Sequence, residues 1–475
     1  MARRRLDTDV AIVGAGTAGL AAWREVRKRN RDALLIDPGP LGTTCARVGC
    51  MPSKLLIEAA NAFHRRLTMD EFGIQGGTSL HIDLPAALAR VRRLRDEFVA
   101  GTQQITEAAG PALLRARARL LGPNRLAVGD AEVHARRIVL APGSRPIIPG
   151  PWRAVEASRL LTTDTLFEQR DLPERMAVLG AGAIGLELAQ ALARLGIEIH
   201  VFDLAASLPA VNDPAIGEPL LACLGNELQL HLGARADLTP APGGLVVSNG
   251  RIEVAVEQAL IAIGRRPAID DLGLETLGVP LDDQGLPPVH RETLQVADLP
   301  VFLAGDANAD RAILHEAADE GHIAGINAAG DRPEAFCRRT PMSIVFTDPN
   351  LARVGQVPQG ADPGLVIGEV DFGRQGRARA AQQAYGRLRV YADATSGRLR
   401  GAEMCIPAGE HLVHVLGLAI HRQLGVHDLL GMPFYHPVLE EGLRSALRDA
   451  AGKLAHCRPV SDLANCPSFD IEALD

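Results

Sequence analysis

Short runs of apolar residues, each followed by a turn and then by a helical pattern, dominate the first half of the chain. One run is Asp9–Val13 and another is Met176–Leu179. Apolar runs of this length without polar alternation are typical of strands that are buried on both faces of a parallel sheet. Stretches with helical periodicity follow them, at Leu20–Arg29 and Leu186–Leu195, and lead into further apolar runs. The pattern predicts two β-α-β units and therefore an α/β fold.

The turns of both units have the spacing Gly-x-Gly-x-x-Gly, and an aspartate ends the next predicted strand. In both units this aspartate lies 23 residues after the first glycine (37 − 14 and 203 − 180). In such a unit the first glycine permits a tight turn, the second lets a pyrophosphate approach the backbone, and the third packs the helix on the strand. The aspartate accepts hydrogen bonds from a ribose hydroxyl. The sequence therefore predicts two dinucleotide sites, formed by Gly14, Gly16, Gly19 and Asp37, and by Gly180, Gly182, Gly185 and Asp203.

The residues after Asp203 bear on the choice between NAD and NADP. The segment Leu204–Ser207 contains no Lys or Arg that would hold a 2′-phosphate. A carboxylate at this place repels a phosphate and accepts a hydrogen bond from a 2′-hydroxyl. We therefore expect NAD, although cationic groups from elsewhere in the chain remain the alternative.

Two cysteines, Cys45 and Cys50, lie between the first glycine turn and a predicted helix that includes Lys54–Ala60. The positive end of a helix favours the thiolate form of a nearby cysteine, and two thiols one turn apart can close a disulfide. The spacing alone is equally compatible with two buried structural cysteines, which is the more common case. Zinc binding is less favoured, because a second Cys/His pair with matching spacing is missing from the sequence.

The stretch from Cys45 to Lys54 resembles the redox motif of the class I pyridine nucleotide–disulfide oxidoreductases, in which Cys-x4-Cys precedes x-Pro-Ser-Lys. The resemblance extends from Asp9 to about Asp449. It implies FAD at the first glycine turn and a nicotinamide nucleotide at the second. It also implies that Cys45 is the exposed thiol that exchanges with substrate, that Cys50 faces the flavin, and that Thr44 contacts the cofactor.

Further segments resemble cofactor-binding elements of the same family. One is the turn Ala141–Ser144, where Pro142 replaces the family's Thr, and another is the Gly-Asp that follows Val301–Ala304. The helix after it is expected to point its positive N-terminal end at the flavin and so to stabilise the reduced, anionic form. The resemblance assigns cofactor contacts to Gly143, Gly264, Gly305, Asp306, Leu314 and His315.

The segment His436–Glu441 resembles the family's His-Pro-Thr-x-x-Glu element, with Val438 in place of Thr. A lone histidine is more often structural than catalytic, but disulfide exchange needs thiolates, and an imidazole can take and return the thiol proton. The resemblance implies that His436 reaches the disulfide of the other subunit of a homodimer and that Glu441 orients it. It also implies an ion pair of Lys54 with Glu187 beside the flavin.

The length of 475 residues fits about three domains. We expect an FAD-binding domain from 1–150 and 271–340, an NAD-binding domain at 151–270, and an α+β interface domain for dimerisation at 341–475. A net charge of −7 with 3% aromatic residues argues against a nucleic-acid partner. Neither a secretory signal nor a membrane-spanning run is apparent, and seven cysteines without framework spacing favour a reducing, cytoplasmic location.

Within the family, the dihydrolipoamide dehydrogenases fit best, because Asp203 and the Cys-x-Pro-Ser-Lys form both favour them. The substrate would then be a small-molecule or lipoyl-domain disulfide. Mercuric reductase would require an adjacent cysteine pair in the tail, whereas Cys457 and Cys466 are nine residues apart. Thr43 and Arg47 depart from the family's Gly and Asn. These departures leave a glutathione-type disulfide, mercuric ion or a quinone as alternative acceptors. A non-catalytic FAD- and NAD-binding redox sensor is the alternative of another class.

Overall fold

The computed structural model describes residues 4–454, so Cys457 and Cys466 lie outside the described residues. The strands, numbered in chain order, are β1 (Arg4–Val13), β2 (Ala33–Ile36), β3 (Leu113–Leu114), β4 (Ala118–Gly122), β5 (Arg125–Val128), β6 (Ala131–Leu140), β7 (Ser144–Pro146), β8 (Leu160–Leu161), β9 (Arg175–Leu179), β10 (Glu198–Asp203), β11 (Gln229–Leu232), β12 (Asp237–Ala241), β13 (Gly244–Ser248), β14 (Glu253–Val256), β15 (Gln258–Ile261), β16 (Arg265–Pro267), β17 (Val301–Leu303), β18 (Met342–Val345), β19 (Asn350–Gly355), β20 (Leu365–Asp371), β21 (Arg387–Asp393) and β22 (Leu399–Ile406).

The α-helices are α1 (Thr17–Lys28), α2 (Thr44–Val48), α3 (Cys50–His64), α4 (Leu84–Glu107), α5 (Thr163–Leu166), α6 (Ala183–Arg194), α7 (Pro214–Gly225), α8 (Leu314–Ala329), α9 (Gly376–Ala380), α10 (Gly409–His421), α11 (Val426–Leu430) and α12 (Glu441–Lys453). The chain forms two compact units that are discontinuous in sequence. Unit 1 contains residues up to 59, 82–173 and 258–338, and unit 2 contains 60–81, 174–257 and 339 onward. The domain boundaries expected near 150, 270 and 340 remain predictions.

Unit 1 is built on a sheet with the strand order β3-β2-β1-β6-β5-β4, and β17 also pairs with β6. The pairs β1–β2, β1–β6 and β6–β17 are parallel. Both faces of this sheet are buried: Val10 and Ile12 belong to one apolar cluster, and Ala11 and Val13 belong to the other. This two-sided burial explains why the strands read as continuous apolar runs rather than as alternating ones.

The helices α1 and α8 pack closely in unit 1, because small residues meet where they cross. A Cβ atom at Gly321 would lie 2.2 Å from the carbonyl oxygen of Ala18, and one at Gly325 would lie 2.6 Å from that of Ala22. Only glycine allows so close an approach at these two positions. The crossing fixes α8, and with it the helix N-terminus at Leu314, relative to the glycine turn that begins α1.

Unit 2 contains a parallel arrangement of β9, β10 and β11 and an antiparallel sheet β12-β13-β14. Its C-terminal part is an antiparallel sheet with the order β18-β19-β22-β21-β20. An apolar core that includes Val390, Met404, Leu416 and Leu447 lies between this sheet and the helices α10 and α12. The strands β21 and β22 of this sheet form an antiparallel pair. The structure therefore has the fold that the sequence predicts, with mixed α/β units and a C-terminal α+β part.

Several helix boundaries differ from the predicted ones. The helix predicted from Lys54 begins at Cys50, which therefore lies in the first turn of α3. The helix predicted to begin at Leu20 starts at Thr17, immediately after the second glycine of the fingerprint. Apolar periodicity marks where a helix buries a face, and both first turns lie outside that periodic stretch. Across residues 4–454 we find no helix that is long and apolar enough to cross a membrane.

Candidate active site

The predicted FAD-contacting residues of unit 1 converge at one edge of its sheet. Gly14 follows β1, Asp37 follows β2, Gly143 lies just beyond β6, and Gly305 lies just beyond β17. Because these four strands are parallel neighbours, their carboxyl ends lie at the same edge. Ligands of doubly wound sheets bind at this edge. The tertiary structure therefore brings together four segments that are separated by up to about 290 residues in the sequence.

The three glycines of the first turn occupy three different environments. Gly14 has φ +99°, and a Cβ atom there would lie 2.1 Å from the carbonyl oxygen of Ala141. A Cβ atom at Gly19 would lie 1.8 Å from the carbonyl oxygen of Gly14, so this glycine packs α1 against the strand. A Cβ atom at Gly16 would meet no protein atom within 4 Å. The open position is the one where a pyrophosphate has to approach the backbone, so these residues fit a bound dinucleotide.

Asp37 is held by the backbone of the same turn. Its Oδ2 atom accepts a hydrogen bond of 2.7 Å from the Ala15 amide, and its Oδ1 atom accepts one of 2.7 Å from the Gly39 amide. A carboxylate oxygen has two lone pairs, so each oxygen keeps acceptor capacity for a ribose hydroxyl. The role of Asp37 in binding ribose stays a prediction, and its second role is to fix the shape of the glycine turn.

Asp306 lies at the centre of a polar network that the sequence did not reveal. Its Oδ2 atom accepts a hydrogen bond of 2.6 Å from the Ser144 hydroxyl, and the Ser144 hydroxyl accepts one of 2.9 Å from Arg265 Nε. Arg265 also donates to the Ser144 carbonyl at 2.8 Å. The antiparallel pair β7–β16 brings these residues together, beside Gly143 with φ +75° and Gly264 with φ +117°.

A buried glutamate fixes the turn that carries Gly305 and Asp306. Glu320 Oε2 accepts hydrogen bonds of 2.7 Å from the Gly305 amide and from Asn308 Nδ2, and its Oε1 atom accepts one of 2.8 Å from Arg338. Glu320 is 1% exposed, and this burial raises the pKa of its carboxyl group, while the bonds from Arg338, Asn308 and Gly305 oppose the rise. The Gly-Asp turn is thus held from α8, and the expectation that this helix directs its N-terminal end at the flavin remains a prediction.

The first turn of α8 presents side chains to the surface of unit 1. Leu314 is 43% exposed, and His315 is also exposed. An exposed leucine at the N-terminus of this helix is consistent with the cofactor contact that the resemblance assigns to both residues, which remains a prediction.

The thiols of Cys45 and Cys50 lie in hydrogen-bonding contact, and both residues are thiols in this structure. Cys45 belongs to α2 and Cys50 begins α3. The Cys45 sulfur also accepts hydrogen bonds from the backbone amides of Cys50 and Met51, which are the first amides of α3. The side-chain hydrogen bond with Cys50, burial and the charge of Cys50 together raise the pKa of Cys45, and the two amides oppose this rise.

The role of Cys45 as the thiol that exchanges with substrate remains a prediction; in the polypeptide Cys45 is half-buried and Cys50 is exposed. The reason is that the Cys45 sulfur lies against the first turn of α3, whereas Cys50 begins that turn at the surface. Thr44, the predicted cofactor contact, is exposed on α2.

The two departures from the family motif have distinct local roles. Thr43 caps α2, because its hydroxyl accepts a hydrogen bond of 3.2 Å from the Ala46 amide, and its φ of −67° does not need a glycine. The adjacent Gly42, with φ +102°, does need one. The side chain of Arg47 packs beside Gly42, and its Nε atom is buried without a hydrogen-bond partner in the part of the chain that the structure describes.

The second glycine turn, in unit 2, repeats the geometry of the first. Gly180 has φ +107°, and a Cβ atom at Gly182 would meet no protein atom within 4 Å. Asp203 accepts hydrogen bonds of 2.6 Å from the Ala181 amide and 2.7 Å from the Ala205 amide. The internal repeat in the sequence is therefore also a repeat of local structure. The third glycine of this turn, Gly185, is buried in α6.

Glu187 lies on α6, 7% exposed, and its Oε1 atom accepts a hydrogen bond of 2.8 Å from the Phe346 amide. Lys54 lies on α3 and is half-buried. Lys54 belongs to unit 1 and Glu187 to unit 2, and the ion pair that the resemblance implies for them remains a prediction.

The histidine and glutamate of the C-terminal element are directly bonded in unit 2. His436 Nδ1 lies 3.0 Å from Glu441 Oε2, and Arg444 donates to the other carboxylate oxygen at 3.0 Å. The His436 side chain is 79% exposed, whereas that of Glu441 is 19% exposed. Because Glu441 accepts the Nδ1 proton, the exposed Nε2 atom is left as the acceptor for a substrate proton. This is the arrangement of a histidine base with an orienting carboxylate.

Three residues near these sites were missed by sequence reasoning: Ser144, Arg265 and Glu320. The first two lie within segments that had been recognised, but their partners are 121 residues apart or more and only the fold joins them. Glu320 lies six residues after Leu314 on a predicted helix, and a carboxylate on the buried face of that helix was the available signal. Within residues 4–454, no cluster of three or more His, Cys, Asp or Glu side chains is arranged to hold a metal ion.

Residues 8–325 match the sequence family described as pyridine nucleotide-disulphide oxidoreductase, and residues 341–447 match the dimerisation domain of that family. The first match covers more than half of the chain, and the protein therefore belongs to the pyridine nucleotide-disulphide oxidoreductase family. Members of this family bind FAD and NAD(P), which agrees with the two glycine turns.

Individual relatives carry more than one name. The chain is 30% identical to the dihydrolipoyl dehydrogenase of Halobacterium salinarum, over 94% of this chain and 97% of the relative. It is 31% identical to a mercuric reductase of Acidithiobacillus ferrooxidans, over 96% of this chain and 84% of the relative. The fold is shared with the HOCl-induced flavoprotein disulfide reductase RclA from Escherichia coli, with a TM-score of 0.81 and 21% identity over 93% and 99% of the two chains. These similarities define the family and leave the substrate open.

Proposed function

We propose that this protein is an NAD-dependent dihydrolipoyl dehydrogenase, which passes electrons between a substrate dithiol, the Cys45–Cys50 pair, FAD and NAD. The observation that carries the proposal is the contact between the two thiols at the start of α3, in the unit that also holds the first glycine turn. Two sulfurs in this contact are placed to close a disulfide. The identity to dihydrolipoyl dehydrogenases over nearly the whole chain supports the choice of substrate.

The exchange begins with the Cys45–Cys50 disulfide. A substrate thiolate attacks Cys45 Sγ, the sulfur–sulfur bond breaks, and Cys50 leaves as a thiolate. The second substrate thiol loses its proton and attacks the mixed disulfide, which releases Cys45 and the cyclic substrate disulfide. The substrate loses two electrons, and the protein disulfide gains them. The amides of Cys50 and Met51 point at Cys45 Sγ and stabilise the negative charge that it carries when it leaves.

His436 is the proposed base for the substrate thiol. Its Nδ1 proton is committed to Glu441, so Nε2 faces solvent as the acceptor. Partial desolvation opposes ionisation of Glu441, but the hydrogen bonds from His436 and Val438 outweigh it and lower the pKa of this carboxyl group. An ionised Glu441 stabilises the imidazolium that forms when His436 takes the proton. We propose, on the basis of the family's dimerisation domain, that His436 of one subunit serves the disulfide of the other.

When bound, FAD supplies a two-electron acceptor for the protein dithiol and NAD supplies the hydride acceptor. Gly14, Gly16, Gly19 and the carboxylate of Asp37 would hold FAD together with Gly305 and Asp306. Gly180, Gly182 and Asp203 would hold NAD. The Asp203 carboxylate, without a cation in the following segment, favours NAD over NADP by repelling a 2′-phosphate.

A substrate panel tests the proposal. The FAD-loaded protein is supplied with NADH, and lipoamide, glutathione disulfide, a quinone and Hg²⁺ are compared as acceptors. We expect lipoamide to be reduced with a kcat/KM at least about tenfold above that of each other acceptor. Preference for Hg²⁺ would instead assign the reaction of the mercuric reductase relative, and preference for a quinone would remove the need for the cysteine pair.

A reduction experiment with the FAD-loaded protein distinguishes an enzyme from a redox sensor. Anaerobic addition of one equivalent of dihydrolipoamide should produce long-wavelength absorbance from Cys50 thiolate against oxidised flavin. This absorbance should be missing in Cys50→Ser. A sensor that binds both nucleotides without disulfide chemistry would show the flavin spectrum unchanged by the dithiol.

A further inference from the structure

One face of α6 is bonded along its length to the loop between β18 and β19, and the side chains on this face also bond to Glu227 and Asn61. Glu187, Gln190 and Arg194 lie at positions i, i+3 and i+7 of the helix, on one stripe. Glu187 accepts from the Phe346 amide at 2.8 Å. Gln190 and Arg194 both bond to Asp348. The loop between β18 and β19 thus runs parallel to the helix whose first turn belongs to the second nucleotide fingerprint.

Asp348 contacts α6 with both its backbone and its side chain. Its amide donates to Gln190 Oε1 at 2.8 Å, and its carbonyl accepts from Gln190 Nε2 at 2.9 Å. Its Oδ2 atom accepts from Arg194 Nη1 at 3.0 Å, and its Oδ1 atom accepts from the Tyr385 hydroxyl at 2.8 Å. The Asp348 backbone makes two hydrogen bonds with the Gln190 carboxamide, and its carboxylate bonds to Arg194 one helical turn further on. Together these contacts fix both the rotation and the axial position of the helix.

The charge of Arg194 makes this attachment costly to break. The Arg194 side chain is only 4% exposed. It donates to Asp348, to Glu227 in two hydrogen bonds of 2.6 and 2.8 Å, and to Asn61 Oδ1 at 2.6 Å. The loss of either carboxylate would leave part of a buried cation unpaired, which is strongly unfavourable. Asp348 is thus a structural requirement of the position that α6 occupies.

We propose that Asp348 is a positioning residue for the nicotinamide half-reaction, in that it holds α6 so that the turn Gly180–Gly185 meets the bound nicotinamide nucleotide correctly. At its N-terminal end the glycine turn is tied to Asp203 through the Ala181 amide, and at its C-terminal end the helix is tied to Asp348. With both ends fixed, the helix cannot turn about its axis. The nucleotide-binding part of the inference stands on the family match, and only the comparison with the dihydrolipoamide half-reaction rests on the proposed function.

A second carboxylate of unit 2 offers a matched control. Asp213 is buried, whereas the Asp348 side chain is 26% exposed. Asp213 accepts from the Tyr391 hydroxyl at 2.6 Å and from Arg389 Nη1 at 2.9 Å, and so connects α7 to β21. Asp213 caps α7, because its side chain accepts a hydrogen bond from the Ala215 amide. Its bonds to the C-terminal sheet therefore hold α7 and do not involve α6. Replacement of Asp213 therefore weakens unit 2 to a comparable degree while leaving the α6–Asp348 tie intact.

The test compares Asp348→Asn with Asp213→Asn in the FAD-loaded full-length protein by stopped-flow absorbance. Asparagine keeps the size of Asp348 and an acceptor for Tyr385, but it turns the charged contact with Arg194 into an unfavourable one. We expect flavin reduction by NADH to slow by about tenfold to a hundredfold and the NADH Kd to rise, because small misplacements have effects of this size. Flavin reduction by dihydrolipoamide should stay within about twofold of wild type.

The opposite outcomes are equally well defined. The inference is wrong, and the role of Asp348 is structural only, if Asp348→Asn slows both half-reactions equally. The same conclusion follows if Asp213→Asn slows flavin reduction by NADH as much as Asp348→Asn does. Should Asp348→Asn fail to fold, Gln190→Ala removes the two amide bonds to Asp348 together with the bond from Gln190 Nε2 to Glu227, and should show the same selective loss. If the wild-type protein does not react with dihydrolipoamide, the proposed function fails. The oxidation of NADH with ferricyanide as acceptor still tests the role of Asp348.

Discussion

His436 Nδ1 and Glu441 Oε2 lie 3.0 Å apart, with the imidazole exposed and the carboxylate mostly covered. The glutamate begins α12 and the histidine precedes it by five residues, so a short loop and a helix start are enough to build the pair. This geometry assigns the two nitrogen atoms different tasks, because Nδ1 is bonded to Glu441 and Nε2 is open to a reacting thiol.

Glu441→Gln should slow flavin reduction by dihydrolipoamide by about tenfold or more, and His436→Gln by about 10²–10⁴-fold, which is the usual contribution of a general base. The glutamine can still accept the Nδ1 proton, but it cannot stabilise the imidazolium. Stopped-flow reduction of the flavin by the dithiol measures the effect. Glu440→Gln, which removes a neighbouring carboxylate from the same loop, is the control and should react as wild type. A loss in Glu440→Gln as large as that in Glu441→Gln would contradict the pairing.

Cys45→Ser and Cys50→Ser should each abolish lipoamide reduction, since neither variant can form the disulfide. NADH-driven reduction of ferricyanide should continue in both variants, because its electrons do not have to pass through sulfur. Steady-state assays with the two acceptors measure the contrast. Residual lipoamide turnover above about 1% of wild type in either variant would exclude the exchange mechanism.

Gly16→Ala and Gly19→Ala should fail in different ways, although both change one glycine of the same turn. A methyl group at Gly19 would lie 1.8 Å from a backbone oxygen, so α1 must move and the apoprotein should lose several °C of Tm. A methyl group at Gly16 meets no protein atom within 4 Å, and its φ of −76° suits alanine. Gly16→Ala should therefore leave the Tm of the apoprotein unchanged and lower its affinity for FAD. Thermal unfolding of the apoprotein and titration with FAD separate the two effects, and unchanged FAD affinity would place the pyrophosphate elsewhere.

Glu25 should make the stability of unit 1 depend on acid pH. Desolvation would raise its pKa, but hydrogen bonds from Lys28, Arg29 and His322 outweigh this and lower the pKa from 4.5 to about 2. A lowered pKa stabilises the folded state fully above pH 4.5, and this contribution is lost as the pH falls through 2. Glu25→Gln should therefore lower the unfolding free energy at pH 7 by about 1–3 kcal/mol, and the Tm should fall with it.

The measurement for Glu25 is the Tm difference between wild type and Glu25→Gln at pH 7 and at successively lower pH. The difference should be constant above pH 4.5 and should shrink below it. A difference that is independent of pH would show that the lost interactions do not depend on the charge of Glu25.

Much of the fold followed from local patterns in the sequence. The apolar runs before Gly14 and Gly180 and the aspartates 23 residues on predicted two β-α-β units, and both are present with the same hydrogen bonds. These features are local, because a turn glycine, a buried strand and a strand-end carboxylate each act within about 30 residues. The start of α3 at Cys50 was missed, since the residues of its first turn lack the apolar periodicity of the following residues, although Pro52 and Ser53 are buried.

The sequence by itself determined the family and the two nucleotide turns, and it predicted residues of the candidate site, because these depend on residue type and short spacing. Only the tertiary structure decided that Cys45 lies under the first turn of α3, that Ser144 and Arg265 hold Asp306, and that Asp348 holds α6. Partners of this kind are separated by as many as 162 residues. Their meeting depends on strand order and helix packing, which no local pattern of residues encodes.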